Sequence, residues 1–359
     1  MERTTTVLSL AVCLLMAASA PGIAQPHIVN GSVTTRAAGP SLGADVSALA
    51  AREGGVLWMG YGVPANKAGQ DACCHEYRGN APVSEGCRLE RSADHAVRTG
   101  TDSGKARLEP SNELAVFVRF EAGVFSRAAA FSQNCEIDAG GMRVVWLTGV
   151  KPADSVAWLT DRARKETGDT RGRDGVIMAV ALHADSGADR ALEDLALSGP
   201  SRKVQQSAVF WMGAARGAAG FAGLKRALAQ VSDVTLREQV VFAVSVSKEA
   251  GALDLLLDVA RNDRQPRVRG QALFWLGQKA GARVADTIVG ALQNDPDTEV
   301  KKRAVFALSQ LPKDEGIPKL IEVARTNKNT EVRKQAMFWL GQSKDPRALT
   351  FFEQVLAGK

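Results

Sequence analysis

The chain has 359 residues, of which 45% are apolar and 23% charged, and its mean hydropathy is −0.10. That composition fits a soluble globular protein and leaves room for two or more domains with substantial cores. The formal charge of +6 is uneven: from Arg171 onward 28 Lys and Arg face 21 Asp and Glu, a net of +7, while the remainder carries 17 against 18.

The N-terminus is a targeting segment by pattern. Arg3 gives a positive start, Val7 to Ala20 is an apolar run, Pro21-Gly22 breaks any helix, and Gly22-Ile23-Ala24 supplies small residues at cleavage spacing. This predicts a signal peptide over residues 1–24, cut after Ala24, and export to the periplasm or the medium. A lipoprotein reading at Cys13 is disfavoured by the large Val12 before it. No second apolar run approaches the ~18 residues of a membrane span, so none is expected in the mature chain. For an exported protein, a basic C-terminal half fits acidic partners or anionic surfaces better than nucleic acid.

Residues 25–45 read as a flexible lead, with Gly31-Ser32-Val33-Thr34-Thr35 and Gly39-Pro40. A β-rich domain is expected over residues 46–165. Its strand-like runs are Val56–Val63, Cys87–Leu89, Leu114–Phe120, Val124–Phe131 and Met142–Leu147, with turns at Glu121-Ala122-Gly123 and Asp138-Ala139-Gly140-Gly141. Ser92 to Pro110 is expected as a mobile loop, Pro152 to Lys165 as a helix, and Glu166 to Arg173 as a linker. These elements suggest a small antiparallel sheet.

The exported chain keeps Cys73, Cys74, Cys87 and Cys135, and an oxidising compartment favours disulfides. Four cysteines allow three pairings; a direct Cys73–Cys74 bond is strained, so one of them is expected to join Cys87 and the other Cys135, in an order left open. The functional competitor is metal or thiol chemistry using Cys73-Cys74-His75 with Asp71, Cys87 and His95. Adjacent cysteines are not the usual chelate spacing, so no metal or other cofactor is expected.

The second half carries the strongest signal. Phe210, Phe242, Phe274, Phe306 and Phe338 recur at one unvarying interval, each following a Val or Leu six positions earlier. Val176-Ile177-Met178-Ala179-Val180 is a worn copy one period upstream. Within a unit, Val300, Ala304, Leu308 and Leu311 mark one helix, Pro312 stops it, and Ile317, Leu320, Ile321 and Ala324 mark a second. Such a helix pair cannot bury its apolar stripe alone, so the copies must stack into an α-solenoid. Segments such as Asp295-Pro296-Asp297-Thr298-Glu299-Val300-Lys301 and Thr330-Glu331-Val332-Arg333 resemble HEAT repeats of the short, bacterial, phycobilisome-lyase-like type, over residues 170–359. That resemblance implies that Arg237, Arg269, Lys301 and Arg333 pair with acids of the inter-helix turns as a structural ladder, and it says nearly nothing of chemistry. Upstream, Trp58, Tyr61-Gly62-Val63-Pro64, Cys73-Cys74, Cys87-Arg88-Leu89 and Cys135-Glu136-Ile137-Asp138 resemble a pattern that precedes HEAT repeats in uncharacterised exported bacterial proteins. It brings no known activity.

A helical wheel at about 100° per residue puts Val300, Ala304, Leu308 and Leu311 on one side and Phe306 nearly opposite. The five phenylalanines are therefore expected as a row on the helices lining the concave side. Gln239, Gln271, Arg303 and Gln335 flank it on one side, and Gln278, Gln310 and Gln342 on the other. Rings alternating with amides suit an extended protein or peptide partner. The competing reading is that curvature, or a covering by the N-terminal domain, buries the rings as core. Trp211, Trp275 and Trp339, which alternate with Ala243 and Ala307, are expected as large-small packing between repeats.

The sequence contains no Gly-x-Ser-x-Gly elbow, phosphate loop, dinucleotide fingerprint or His-Glu-x-x-His helix. His27 sits in the lead and His183 ends a repeat helix, and Cys74 with His75 or His95 is a poor nucleophile-base pair under oxidation. The reading is an α+β chain, a non-enzymatic exported scaffold with a β-rich N-terminal domain and a HEAT-type solenoid. The alternative places metal- or thiol-dependent activity in the β domain, with the solenoid presenting it.

Overall fold

The computed structural model describes residues 23–52, 55–70, 72, 75–78, 81–84, 87–90, 111–165, 170–279 and 282–358. The expected signal segment up to Gly22, Asp71, Cys73, Cys74, His95 and the expected loop from Ser92 to Pro110 lie outside those residues.

The N-terminal part is built on a five-stranded sheet of β2 (Ser32–Ala37), β10 (Arg143–Thr148), β3 (Val56–Pro64), β7 (Glu113–Glu121) and β8 (Val124–Ser132), in that spatial order. The sheet is mixed, not antiparallel as expected: β10 pairs parallel with both β2 and β3, while β3–β7 and β7–β8 are antiparallel. Helix α1 (Leu42–Arg52) makes the crossover that a parallel arrangement of β2 and β3 requires. Of the expected flexible lead, residues 28–29 and 32–37 thus form strands, and residues 42–45 begin helix α1. Their strand β2 is nearly all solvent-exposed, so it carries no apolar alternation that the sequence could show. The turn between β7 and β8 lies at Ala122 and Gly123, both in the left-handed region at φ 47° and 77°.

The sheet is buried on both faces, with period-two alternation deciding which side chain goes where. Leu57, Met59, Tyr61 and Val63 of β3, with Leu114, Val116 and Val118 of β7, face α1 and α2 (Pro152–Lys165). Trp58, Ala115, Phe117, Val144 and Trp146 face the other way, into a second core with Cys87, Leu89, Cys135 and Ile137. That second core is covered by a small parallel sheet of β1 (Ile28–Val29), β9 (Ile137–Asp138) and β6 (Cys87–Arg88). A further hairpin pairs β4 (His75–Arg78) with β5 (Ala81–Ser84).

The C-terminal part is an array of helix pairs: α3 (Thr170–Leu182) with α4 (Gly187–Ser198), α5 (Arg202–Ala215) with α6 (Gly217–Gln230), and α7 (Val234–Val246) with α8 (Ala252–Asn262). It continues with α9 (Pro266–Gly277) and α10 (Ala282–Asn294), α11 (Thr298–Gln310) and α12 (Lys313–Thr326), and α13 (Thr330–Gln342) and α14 (Pro346–Leu356). Local chemistry sets the starts: Ser201, Asp233, Asp297, Asn329 and Asp345 each cap the following helix by accepting backbone N–H groups. The odd-numbered helices pack on one another along the whole array, and the even-numbered ones back them. The first apolar face of the sheet and the array form one continuous hydrophobic core.

The join between sheet and array is specific. Helix α3 covers the edge strand β8, and Gly175 makes this possible, because a Cβ there would strike the Ala128 carbonyl. The Asn66 amide donates to the carbonyls of Ala181 and Ala215 at 2.7 and 3.1 Å, tying the end of β3 to two repeats. Arg216 donates to the carbonyls of Ala181, His183 and Asp185 and pairs with Asp189 at 2.7 Å. Beneath them a buried relay links β3, α2 and α3: Ser155 Oγ lies 2.9 Å from Tyr61 Oη and 2.8 Å from His183 Nε2. His183 Nδ1 lies 2.6 Å from the Ala179 carbonyl, so it donates there and Nε2 accepts from Ser155.

Candidate binding surface

The repeated phenylalanines lie on the odd-numbered helices, and each makes ring contacts within or across repeats. Phe210 stacks on Phe242 with centroids 6.0 Å apart, and Phe274 stacks on Phe306 at 5.4 Å with ring planes 6° apart. Phe242 meets Trp275 at 5.0 Å between these pairs, and Phe306 meets Trp339 at 5.1 Å beyond the second. Trp211, Trp275 and Trp339 also contact Phe210, Phe274 and Phe338 of their own helices edge-on. The result is a continuous aromatic ladder along the odd layer.

The rings are neither deep core nor free teeth. Phe210, Phe242, Phe274 and Phe306 are half-buried, and Phe338 is exposed. The tryptophans pack against the hydrophobic core as partly buried side chains, whereas the phenylalanines are not among the residues packed on it. The indole N–H groups of Trp275 and Trp339 are buried without a hydrogen-bond partner. The wheel placed each phenylalanine opposite the core of its own helix but could not show that the neighbouring helix brings a second ring against its flank.

On the sides of the ladder, Gln239, Gln271 and Gln335 are half-buried, and Arg303, Gln278, Gln310 and Gln342 are exposed. The Arg303 stem lies over Gly270, where an added Cβ would come 3.2 Å from its Cγ.

The ladder has a two-repeat module that single-repeat alignment conceals. Phe-Trp-x-Gly at Phe210, Phe274 and Phe338 alternates with Phe-Ala-x-Ser at Phe242 and Phe306. Inside a module the glycine admits the next helix backbone: a Cβ on Gly213 would strike the Ala243 carbonyl, and one on Gly277 would lie 2.9 Å from the Ala307 Cα. The stacked phenylalanine pairs sit over these glycine–alanine contacts. The signal was in the sequence as a period of two repeats, Trp and Gly in one and Ala and Ser in the next.

Of the four basic residues after the leading valine or leucine, Arg237 and Arg269 pair with acids of the turns as the resemblance implied, and both pairs are buried; Lys301 and Arg333 instead bond backbone carbonyls. Arg237 pairs with Asp263 and donates to the carbonyls of Leu228 and Val231. Arg269 holds Asp295 bidentately at 2.7 and 2.8 Å and donates to the Asp263 carbonyl. One repeat on, Lys301 donates to the Gln293 carbonyl at 3.4 Å, and Arg333 to the carbonyls of Asn327 and Lys328. Asn327 stands where the earlier turns carry Asp263 and Asp295.

In the β part, Cys87 and Cys135 are both buried in the second core. Cys135 Sγ lies 3.6 Å from the carbonyl of Ala72, directly before the expected partners Cys73 and Cys74, which lie outside the described residues. Among the described residues no group of three or more His, Cys, Asp or Glu is arranged to hold a metal ion. Sequence reading missed Glu90, which accepts from Trp58 Nε1 and Arg119 Nε, each at 2.8 Å. Burial opposes its ionisation, but those bonds and the charges of Arg119 and Arg127 hold its carboxyl below the ordinary range. His27, expected in a lead, lies 3.3 Å from Glu136 at the surface.

Residues 285–359 match a family model described as HEAT repeats. A solved structure of the Escherichia coli YibA protein is similar at 20% identity, covering 57% of this chain and 76% of that one, with a TM-score of 0.35. Human deoxyhypusine hydroxylase, solved with glycerol, is 16% identical over 56% of this chain and 77% of its own, with a TM-score of 0.25. The complex of CpcE and CpcF of phycocyanin lyase from Nostoc sp. PCC7120 is 18% identical over 56% and 80%, with a TM-score of 0.26. No curated protein sequence matches the chain. The stretch similar to HEAT repeats is the last part of the helical array, which is joined to an α+β N-terminal part. Among the described residues no helix is long and apolar enough to cross a membrane.

Proposed function

We propose that the protein is a non-enzymatic, exported scaffold that binds an extended segment of a protein or peptide along the aromatic ladder. The observation that carries this reading is the row itself: five repeat-related rings, four half-buried and one exposed, that run unbroken beside the core without joining it. A continuous apolar strip rimmed by amides has the character of a partner site. The odd-numbered helices that carry it are packed more closely on one another than the even-numbered ones are. The only cation among the flanking positions is Arg303, which favours an acidic side chain on the partner at that point.

Replacing Phe274, Phe306 and Phe338 together by serine is expected to leave the helical signal intact and to abolish crosslinked capture from envelope extracts. Unfolding of the triple variant would return the rings to a structural role and remove the proposed surface. In the same reading the mature chain starts at Gln25, which N-terminal sequencing of exported protein tests. Cys135 forms a disulfide with Cys73 or Cys74, supported by its place beside the Ala72 carbonyl. A thiol count before and after reduction tests that bond.

A further inference from the structure

The joint between sheet and array holds a histidine that neither the aromatic ladder nor the ion pairs of the turns use. His183, Ser155 and Tyr61 are all fully buried, where α3, α2 and β3 meet. The end of α3 is held there from outside the helix. Its Leu182 carbonyl accepts from the Asn66 N–H at 2.9 Å, Asn66 Nδ2 and Arg216 share the Ala181 carbonyl, and Arg216 also donates to the carbonyls of His183 and Asp185. The Pro64 carbonyl accepts from the Ala184 N–H at 2.9 Å, so the chain leaving β3 runs against the chain leaving α3. The charged groups around the imidazole are Asp185 in the turn and Arg216, itself paired with Asp189 of α4; β3 and α2 face it with the hydroxyls of Tyr61 and Ser155.

The cluster has partners for a neutral imidazole only. Nδ1–H is spent on the Ala179 carbonyl, Nε2 accepts the one proton of the Ser155 hydroxyl, and Ser155 Oγ accepts from the Tyr61 hydroxyl. A proton added at Nε2 turns that acceptor into a donor. Ser155 must then accept from it, and one of the two hydroxyl protons is left with no acceptor among the described residues. Burial pushes the Tyr61 phenol up, so it keeps its proton and offers no relief. A stranded buried donor and a second cation beside Arg216 both favour opening. Helix α2 is lightly held, with only Ser155, Val156, Leu159 and Ala163 buried. We propose that the joint is an acid-sensitive latch: a proton on His183 frees α2 from the end of α3 and uncovers the sheet face beneath it, while the helix pairs from α5 onward stay packed. Burial of the ring is the chief cause that brings the imidazole down from 6.5 to about 4, so the closed latch refuses a proton that the open one takes. The latch is at full strength above pH 6.5 and weakens as pH falls from there towards 4.

Amide hydrogen exchange of the full chain, corrected for the intrinsic pH dependence of exchange, reads the latch directly. Between pH 7.5 and 4.5 protection in α2 should fall about 70-fold, close to tenfold per unit in mid-range, while protection in α9 and α11 changes by less than about threefold. His183→Gln puts a side chain that takes up no proton at this place and should make α2 flat. Asn66→Ala loosens the same joint without a titrating group, so it should lower protection in α2 at every pH and leave the slope unchanged. A wild-type slope equal in α2 and α11 would overturn the proposal, because the proton would then be linked to unfolding of the whole chain. So would a flat α2, or a slope that survives in His183→Gln. Should His183→Gln not fold, the comparison of α2 with α11 in the wild-type chain still decides.

Discussion

Replacing Arg269 by methionine should be among the most damaging single changes in the array. Its guanidinium grips Asp295 through two bonds of 2.7 and 2.8 Å, and the two side chains are only 10% and 6% exposed. Burial works against the charge on Asp295, but the bonds and charge of Arg269, with the N–H of Asp297, hold its carboxyl below the ordinary range. Arg269→Met leaves that carboxylate buried and uncompensated, a loss of about 3–5 kcal/mol. Asp295→Asn keeps an acceptor for the Asp297 N–H, which bonds Oδ1 at 2.9 Å, but strands the guanidinium, with a cost of similar size. The next repeat carries Lys301 and Asn327 at these two positions, so Arg269→Lys combined with Asp295→Asn should lose less than the sum of its two single changes by about 2 kcal/mol. The assay is a double-mutant cycle read by urea denaturation with circular dichroism. The exposed pair Arg283–Asp254, at 67% and 63% exposure, is the control and should give no more than about 1 kcal/mol. Single changes at Arg269 and Asp295 that each cost under ~1 kcal/mol and simply add would refute the reasoning.

His183 gives a pH dependence of definite sign. Burial is the main cause that lowers it from 6.5 to about 4; Arg216 adds to this, and the Ala179 carbonyl and Asp185 oppose it. The unfolded chain therefore takes up a proton that the folded chain refuses, so its contribution is complete above pH 6.5 and falls by about 3 kcal/mol as pH drops towards 4. Urea midpoints between pH 7.5 and 4.5 should show this slope, and His183→Gln should remove it. The module glycines should respond with opposite signs in thermal melts. Gly213→Ala drives a Cβ into the Ala243 carbonyl and should cost about 1–3 kcal/mol, whereas Gly341→Ala should gain about 0.5–1 kcal/mol from helix propensity alone. Asp297→Ala removes the cap that accepts from the N–H groups of Glu299 and Val300, with an expected loss of about 1 kcal/mol, most visible as faster amide exchange at the start of α11.

The array was legible in the sequence because each of its signals is local. Val300, Ala304 and Leu308 repeat within one helix, Pro312 ends it, and the copies recur at an interval that never slips. The sheet was legible only strand by strand. Which strands are neighbours depends on contacts far apart in sequence, and β10 inserts between β2 and β3 although it lies far downstream of both. Strand β2 escaped notice because an exposed edge strand needs no apolar residues on either face. The ion pairs Arg237–Asp263 and Arg269–Asp295 were anticipated as a ladder, but their burial was not, because nothing in a turn's sequence records the helices packed above it. For the phenylalanine row, the period gave the positions and the wheel gave the side of the helix. The stacking came from the equivalent ring one full repeat away, outside what the wheel of a single helix considers. The glycines that permit it were visible all along as a two-repeat alternation, once the repeats are compared two at a time.

The most direct measurement of the scaffold reading is site-specific photocrosslinking in the intact cell envelope. A photoreactive side chain replaces, one at a time, Gln271, Arg303 or Gln310 beside the ladder, and Asp258 or Glu322 on the exposed side of the even-numbered helices. The account predicts one discrete crosslinked species from the three ladder positions and none from the other two. Equal labelling from both sides, or none from the ladder, would contradict it.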